Sequence, residues 1–302
     1  VMKESTFKTP FIDWISKKDG KIHKVYKVLS VKRDPIIKNH LLGNTPLMPA
    51  VGFMEICAEF HSLLYGRKKH YCFKDITLSN PLKLHRGNSQ EIIMTPMEIE
   101  KDWYKAIFYN YFQPKNMEGR INELNNMEFS SILGSYQDLM YLKKAEDKNL
   151  KESYIRELLE VQSQEIENGI GFGPLFMDEN CIKFNKAKID EKSIIYSVFM
   201  SEEQITNKQY NLDNLLINPV FMDSLMQACG IHSAEISGKV HLPWKIGEFG
   251  AVNIPRTLGN YRVYGKLLNQ NDEMKTYDVI MFNENDDVNY YAKGVIVRRI
   301  NS

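Results

Sequence analysis

The sequence lacks an excess of charge of either sign and lacks a long hydrophobic run. Its 39 basic and 38 acidic residues leave the 302-residue chain with a net charge of +1, so nothing favours a polyanionic partner such as nucleic acid. The longest apolar run, from Leu47 to Cys57, is interrupted by Pro49, Gly52 and Glu55, and it is too short to span a bilayer. We therefore expect neither a nucleic-acid partner nor a membrane-bound protein.

Cysteine is also scarce, and the cysteines show no pairing pattern. Cys57, Cys72, Cys181 and Cys229 form no CxxC motif, which in a chain of this size favours reduced, mostly buried thiols and a cytoplasmic protein. Cys57 and His61 lie four residues apart on a predicted helix, as half of a metal site would. No second half is visible, so we predict no metal site and explain this pair by core packing.

The composition is that of a globular protein, and the same pattern of predicted elements occurs in each half of the chain. The chain is 43% hydrophobic and 25% charged, as is usual for a soluble globular protein. In each half, a segment with apolar residues at helical spacing, which predicts a helix over 50–65 in the first and over 219–231 in the second, lies among runs of alternating or β-branched residues. This pattern predicts an α+β fold in which a helix wrapped by an antiparallel sheet occurs twice. We place the first unit at 1–142, a charged linker helix at 143–165 and the second unit at 166–302. The chain begins Val1–Met2, as expected either of a piece of a longer polypeptide or of a chain with residues added at its start.

His40 opens the run HLLGNTPLMP, which ends at Pro49 and leads directly into the first predicted helix. Pro46 and Pro49 restrict the backbone of this loop, and Gly43 or Asn44 is suited to a positive φ. A histidine in a loop is often structural or exposed to solvent. This one, however, precedes a helix whose packing would fix its position, and imidazole titrates in the range that base catalysis needs. His40 is therefore our candidate general base.

Asp223 lies in NPVFMDSLMQACG, a second helix led by a proline, Pro219. Asp223 and Gln227 are four residues apart and share one helix face. An aspartate near a helix start is ordinarily a cap or a surface residue, but the Asn218–Pro219 pair already provides the start signal. Because the neighbours of Asp223 are apolar, we predict a raised carboxyl pKa and a protonated acid.

A third motif, GIGFGPLF, spans Gly169 to Phe176. Its alternating glycines do not form a phosphate-binding loop, since no Lys-Ser/Thr follows and the dinucleotide spacing is absent. Two interpretations remain. The segment is either a tight turn, or a place where a backbone N–H is left accessible to a carbonyl oxygen.

Together these motifs resemble the dehydratase domains of polyketide synthases and their polyunsaturated-fatty-acid-synthase relatives. Those domains carry H-x-x-x-G-x-x-x-x-P, G-Y-x-Y-G-P-x-F, an L-P element and D-x-x-x-Q/H. The matching residues, in that order, are His40 with Pro49; Gly173, Pro174 and Phe176; Leu242 with Pro243; and Asp223 with Gln227. The L-P element follows the aspartate motif here. The resemblance covers most of the chain and implies a double hot-dog fold.

The sequence departs from the family pattern at four positions. Asn44 replaces the glycine of the first motif, and asparagine is the residue next most tolerant of a left-handed backbone. Ile170 and Phe172 replace the two tyrosines of the glycine-rich motif, and Asn218 stands where a histidine usually precedes the helix proline. None of these changes removes an acid or a base.

The resemblance implies dehydration of a 3-hydroxyacyl thioester carried on the phosphopantetheine of an acyl carrier protein. His40 would remove the α-proton, and Asp223 would protonate the leaving hydroxyl. Gln227 would orient the Asp223 carboxyl group and that hydroxyl. A Gly173 backbone N–H would bind the thioester oxygen. The remaining substrate-binding residues would be Phe172, Pro174, Pro49, Leu242 and Pro243. The family needs no metal and no cofactor of its own, and it implies neighbouring megasynthase domains and a homodimer as partners.

Three other functions remain compatible with the sequence. A hot-dog thioesterase would hydrolyse the same kind of thioester, since a fold does not fix the chemistry. An enoyl double-bond isomerase needs the base but not the acid. A non-catalytic domain would bind acyl chains without changing them. The presence of both His40 and Asp223 favours dehydration.

Overall fold

The computed structural model describes most of both predicted units. The described residues are 3–5, 9–42, 44–78, 82–84, 89–100, 103–112, 122–132, 151–154, 170–172, 186–200, 214–285 and 287–300.

In the N-terminal unit, two helices lie among nine strands in the part of the chain that is described. In chain order these elements are β1 (Lys3–Ser5), β2 (Trp14–Lys18), β3 (Lys21–Ser30), α1 (Pro35–Lys38), β4 (His40–Leu42), β5 (Thr45–Pro46), α2 (Ala50–Tyr65), β6 (Tyr71–Thr77), β7 (Ser89–Glu100), β8 (Trp103–Phe112) and β9 (Asn122–Ile132).

The described elements that follow have a similar arrangement, with helices in the middle and long strands at the end. They are β10 (Lys151–Tyr154), β11 (Ile170–Phe172), β12 (Lys186–Ile189), β13 (Ser193–Met200), α3 (Pro219–Met222), α4 (Ser224–Ser237), β14 (His241–Ala251), β15 (Gly259–Gln270), β16 (Met274–Asn283) and β17 (Val288–Arg299).

Fourteen of the described strands form one antiparallel sheet, in the order β1-β2-β3-β7-β8-β9-β6-β14-β17-β16-β15-β13-β12-β10. The two halves of this sheet meet where β6 pairs with β14, with Phe73 opposite Phe249 and Cys72 opposite Gly250. Three further strands form a small sheet in the order β11-β4-β5. The sequence predicts a sheet for each half, and the structure adds that the two sheets join edge to edge.

Helix α2 is the central helix of the N-terminal half. Its residues from Val51 to His61 are all buried, so strands or neighbouring helices cover every face of it. Pro49 precedes it in an extended conformation, and Gly66 ends it with φ 73°, where glycine carries no steric penalty. The prediction of a buried helix over 50–65 is confirmed.

Aromatic contacts seat α2 on strand β8. Phe53 meets Phe108 edge to face with ring centroids 4.9 Å apart, and Phe60 meets Tyr104 in the same way at 5.2 Å. Such pairs contribute about 0.5–1.5 kcal/mol beyond their buried area.

Helix α4 has the same place in the C-terminal half. It packs against β13, β14, β15, β16 and β17, and it ends at Gly238 with φ 64°. The sequence predicts this helix over 219–231, whereas the structure begins a short helix at Pro219, turns at Asp223 and continues to Ser237. Each half therefore encloses one central helix, and the predicted α+β double hot-dog is confirmed.

The charged segment 143–165 is only partly described. Lys151–Tyr154 form strand β10, which pairs antiparallel with β12. For these four residues the structure differs from the predicted linker helix, because pairing with β12 supplies hydrogen bonds that local sequence does not reveal. The rest of this segment lies outside the described residues, and the domain boundaries stay a prediction.

Cys57, Cys72 and Cys229 are buried and form no disulfide bond with one another, as predicted, and Cys181 lies outside the described residues. Within the described ranges, no helix has both the length and the apolar character needed to cross a membrane.

Gly250 marks a close approach at the junction of the two halves. A Cβ atom on this residue would overlap the ring of Tyr291 on β17. Gly250→Ala should therefore destabilise the protein by about 1–3 kcal/mol, measured as a lower midpoint of urea unfolding. Gly230→Ala in α4 is the matched control, since nothing lies within 4 Å of its Cβ position. That change should stabilise by about 0.5–1 kcal/mol. A stabilised Gly250→Ala variant would contradict the packing at this junction.

Candidate active site

His40 begins strand β4, and its side chain is buried. Its Nδ1 lies 3.0 Å from the carbonyl oxygen of Leu47. Because a carbonyl oxygen can only accept, Nδ1 carries the hydrogen, and the neutral ring keeps its basic lone pair on Nε2. Burial lowers the pKa of His40 to about 4, although the bond to Leu47 acts in the opposite direction. His40 is therefore neutral near pH 7, as its predicted role as a base requires.

The loop that carries His40 is closed on itself as a hairpin. Strand β4 pairs with β5, with Leu41 opposite Pro46, and the Leu47 N–H donates to the His40 carbonyl oxygen at 2.8 Å. The Leu84 N–H also donates to the Pro46 carbonyl oxygen at 2.9 Å. The chain then enters α2 at Pro49, so the histidine is attached directly to the central helix. Gly43, a predicted site of positive φ, lies outside the described residues.

The glycine-rich motif lies beside His40. Strand β11 pairs antiparallel with β4, with Phe172 opposite His40 and Ile170 opposite Leu42. The sequence predicts that this motif and His40 serve one site, but it does not predict a strand pair between them. Gly173 and Pro174 lie outside the described residues, so their predicted contacts with substrate stay a prediction.

Asp223 lies at the turn between α3 and α4. Its N–H donates to the Pro219 carbonyl oxygen at 3.0 Å and its own carbonyl oxygen accepts from the Gln227 N–H at 3.0 Å, so the helical hydrogen bonding continues through the turn. Asn218 begins the helix with a left-handed backbone, at φ 51° and ψ 70°, a conformation that asparagine tolerates. This conformation explains why an asparagine begins the helix. Asp223 then lies one turn after the helix start.

The Asp223 carboxyl group is buried, with 4% of the residue exposed. Burial raises its pKa to about 7, and a hydrogen bond from Gln227 Nε2 to Asp223 Oδ2, at 3.0 Å, acts to lower it. The raised pKa agrees with the prediction from its apolar neighbours. At pH values below about 7 the group is a buried carboxylic acid that can donate a proton.

Gln227 and Ser224 present polar atoms that the described residues leave without partners. Gln227 Oε1 and Ser224 Oγ are buried, and no described group donates to or accepts from either atom. Buried polar atoms normally have partners, so such orphans mark a place where a ligand or water can bind. Gln227 thus offers a hydrogen-bond acceptor directly beside the acid.

Sequence reasoning missed Tyr196, a residue of β13. Its hydroxyl group donates to the Ser224 carbonyl oxygen at the start of α4, and the Asp223 charge contributes to raising its pKa, after burial. The sequence predicts a strand at SIIYSVFM, and in the structure every second residue from Ile194 to Met200 is buried, Tyr196 among them. Nothing in that pattern indicates which helix it meets.

Sequence reasoning also missed Glu55, which appears only as an interruption of an apolar run. Helix α2 packs against α3, and the buried Glu55 carboxyl group reaches from α2 to the segment that leads into α3. It accepts hydrogen bonds from the N–H groups of Leu216 at 2.6 Å and Ile217 at 2.9 Å. The elements carrying His40 and Asp223 are thereby connected. A common cavity for these two side chains stays a prediction.

Leu242 and Pro243, the predicted L-P element, lie near the start of β14. Pro243 pairs with Val297 on β17, and a bulge follows it before Lys245. Pairing of β14 with β6 begins only at Lys245. Pro243 therefore lies beyond the end of β6, where a missing N–H is tolerated. Its contact with substrate stays a prediction.

Solved structures with the same fold are found, although no family model and no curated protein matches the sequence. The dehydratase domain from the CurJ module of curacin polyketide synthase has a TM-score of 0.76 and 12% identity, and covers 97% of this chain and 98% of its own. For the CurF module domain the TM-score is 0.74 at 14% identity, with coverages of 97% and 99%. A trans-AT polyketide synthase dehydratase domain from Brevibacillus brevis has a TM-score of 0.75 at 12% identity, with coverages of 98% and 99%. At these identities the likeness shows the fold.

The raised pKa of Asp223 makes stability depend on pH. The pKa of Asp223 is about 7 in the folded protein and has its ordinary value, 3.8, in the unfolded chain, so the folded protein binds the extra proton between these values. This group's contribution to stability therefore falls as pH rises from about 4 to 7. Asp223→Asn cannot ionise, and its stability relative to the unmodified protein should rise by on the order of 2 kcal/mol between pH 5 and 8.

Urea unfolding of both proteins at several pH values measures this difference, and other titrating groups cancel in the comparison. Asp19→Asn is the matched control, since Asp19 is exposed and has φ 53°, which asparagine accepts. A stability difference for Asp223→Asn that does not change with pH would contradict a raised pKa.

Proposed function

We propose that this chain removes water from a 3-hydroxyacyl thioester to give the 2-enoyl thioester, with His40 as base and Asp223 as acid. The observation that carries this proposal is the opposite effect of burial on the two groups. Burial lowers the pKa of His40 to about 4 and raises that of Asp223 to about 7. Between these values a neutral base and a protonated acid coexist, which is the pair of states that the elimination requires.

The proposed elimination takes one proton from the substrate and gives one to the leaving hydroxyl. His40 Nε2 takes the proton from the carbon next to the thioester carbonyl. The electrons of that C–H bond form the carbon–carbon double bond while the bond to the β-hydroxyl breaks. Asp223 gives its proton to the departing hydroxyl, which leaves as water. Proton transfer from His40 back to Asp223 then restores both groups, and the reverse sequence hydrates the alkene.

Gln227 supports this assignment because it places a hydrogen-bond donor and a hydrogen-bond acceptor beside the acid. Its Nε2 donates to Asp223 Oδ2 at 3.0 Å and so holds the carboxyl group in one orientation. Its buried Oε1 has no donor among the described residues, and a substrate hydroxyl can supply one. We assign Gln227 to orient the acid and the leaving hydroxyl together.

Negative charge develops on the thioester oxygen as the α-proton leaves, and we assign the Gly173 N–H to bind that oxygen. The pairing of Phe172 with His40 supports this assignment. Gly173 is the next residue, and consecutive Cα atoms lie about 3.8 Å apart. The acyl chain and its arm would be bound by the other predicted substrate-binding residues: Phe172, Pro174, Pro49, Leu242 and Pro243.

We further propose that the thioester arrives on the phosphopantetheine of an acyl carrier protein, and that the chain works as a dimer beside other domains of a megasynthase. The shared fold with domains from polyketide synthases supports this setting. The proposed elimination transfers no electrons to or from the protein, so it requires no redox cofactor.

The direct test is incubation of the protein with a 3-hydroxyacyl thioester on phosphopantetheine or on a carrier protein. Mass spectrometry should show loss of one water with the thioester intact, and the enoyl thioester should be hydrated in reverse. Release of free thiol without alkene would establish a thioesterase. Movement of an existing double bond without dehydration would establish an isomerase, and binding without reaction would leave the non-catalytic function.

Both assigned groups can be removed singly. His40→Ala and Asp223→Asn should each lower kcat by ~10²–10⁴-fold, as loss of a positioned base or acid does. His232→Gln and Asp278→Asn are matched controls. Both residues are buried, and they bond to Tyr277 and Asp190 and to the Gly294 N–H, none of which is assigned to the site. Near-normal kcat in His40→Ala or in Asp223→Asn would refute that residue's role. A dispensable Asp223 alone would favour the isomerase.

The dependence of kcat/KM on pH should follow the two pKa values. Below about pH 4 His40 is protonated and cannot accept a proton, and above about pH 7 Asp223 is ionised and cannot donate one. The rate should therefore rise through the first value and fall through the second. Asp223→Asn should lose the fall near pH 7 in its residual activity. A rate of the unmodified protein that increases from pH 7 to 9 would exclude Asp223 as the acid.

A further inference from the structure

Glu55 is a buried carboxyl group that the proposed reaction does not use. It lies in α2, in the N-terminal half, and none of its surface is exposed. Its hydrogen-bond donors, however, belong to the C-terminal half. Oε1 accepts from the Leu216 N–H at 2.6 Å and Oε2 from the Ile217 N–H at 2.9 Å. One side chain thus binds two consecutive peptide groups across the two halves.

The bound segment, residues 215–217, is held at its carbonyl groups as well. Arg256 donates to the Leu215 carbonyl oxygen at 2.7 Å, and the Tyr290 hydroxyl donates to that of Ile217 at 2.6 Å. After one further residue the chain enters α3 and reaches Asp223 one helical turn later. The orientation of this segment therefore determines where the acid is presented.

Glu55 is costly in its position. Burial raises its pKa to about 7, and the two backbone N–H groups, then Arg256 and Arg67, act to lower it. A buried charged or polar group stabilises a fold less well than a well-packed apolar side chain of similar size. An apolar residue would fill the core of α2 but could not bind the segment 215–217. The presence of a carboxyl group at this position is thus explained by its binding of the segment 215–217.

We propose that Glu55 is a positioning residue that fixes Asp223 relative to His40. Helix α2 begins at Ala50, shortly after the hairpin that carries His40, and α3 begins at Pro219, one residue after the segment that Glu55 binds. Glu55 therefore connects the helix that follows the base to the segment that leads to the acid. The inference rests on the proposed function, since it concerns the distance between the two catalytic groups.

Glu55→Gln tests this role with little change of shape. Its carbonyl oxygen can accept one of the two N–H groups, but its amide group is a donor that would face the other. The amides of Leu216 and Ile217 should then exchange their hydrogens faster with solvent. Because a small displacement of a catalytic group is costly, kcat should fall at least ~10-fold, with KM changed less than about twofold.

Glu59→Gln is the matched control. Glu59 lies one turn further along α2 and is also buried, and both its carboxyl oxygens accept from the Phe11 N–H, at 3.1 and 3.0 Å. The same substitution is made there, but Glu59 binds a single N–H, which belongs to the N-terminal half and can still donate to the remaining amide oxygen. In Glu59→Gln, kcat and the exchange of the 216 and 217 amides should stay near those of the unmodified protein.

The outcomes separate the two proposals. An unmodified protein without dehydratase activity would overturn the proposed function. With that activity present, an unchanged kcat in Glu55→Gln, or an equal loss in Glu59→Gln, would overturn the positioning role alone. If Glu55→Gln does not fold, Glu55→Asp keeps the carboxyl group but is one methylene shorter. Its kcat should fall, although by less than the ~10-fold expected for Glu55→Gln, at unchanged KM. No loss in Glu55→Asp would then overturn the proposal.

Discussion

The antiparallel pairing of β6 with β14 makes one molecule out of two similar halves, and the site depends on it. Each half contributes one central helix, α2 or α4, and α2 also packs against α3, the short helix that leads into α4. His40 lies shortly before α2, and Asp223 lies at the turn between α3 and α4. Neither half contains both groups, so the proposed chemistry can arise only after the halves have joined.

Burial is what makes these two residues a matched pair. Removing a titratable group from water disfavours its charged form, which lowers the pKa of a histidine and raises that of an aspartic acid. Burial therefore favours the neutral base at His40 and the neutral acid at Asp223 near neutral pH, and it is the largest cause of both shifts. In a solvated surface cleft Asp223 would be ionised at neutral pH and could not donate the proton that the leaving hydroxyl needs, and part of the His40 population would be protonated.

Sequence reasoning predicted the elements that have strong periodicity and clear ends. The buried helix over 50–65, the helix start at Asn218–Pro219 and the duplicated α+β architecture all follow from local patterns. It could not predict features that depend on distant pairings. The pairing of Phe172 with His40, the strand at Lys151–Tyr154 and the continuous sheet each need a partner strand that the local sequence does not specify. The sequence likewise indicated an acid with a raised pKa, but gave no sign of Glu55 or Tyr196 as its supports.

Two buried polar residues, Glu55, which sequence reasoning missed, and Gln227, which it predicted, share one physical property. Each lowers the stability of the core in which it lies. Glu55 places a carboxyl group among apolar side chains, and Gln227 leaves a buried oxygen without a described partner. Proteins tend to break the rule that apolar residues fill the core at their functional sites. A search for buried polar groups whose partners belong to the other half of the molecule therefore finds Glu55, although a search for apolar periodicity passes over it. The same reasoning separates Glu59, whose bonds remain within its own half, from Glu55, whose bonds join the two.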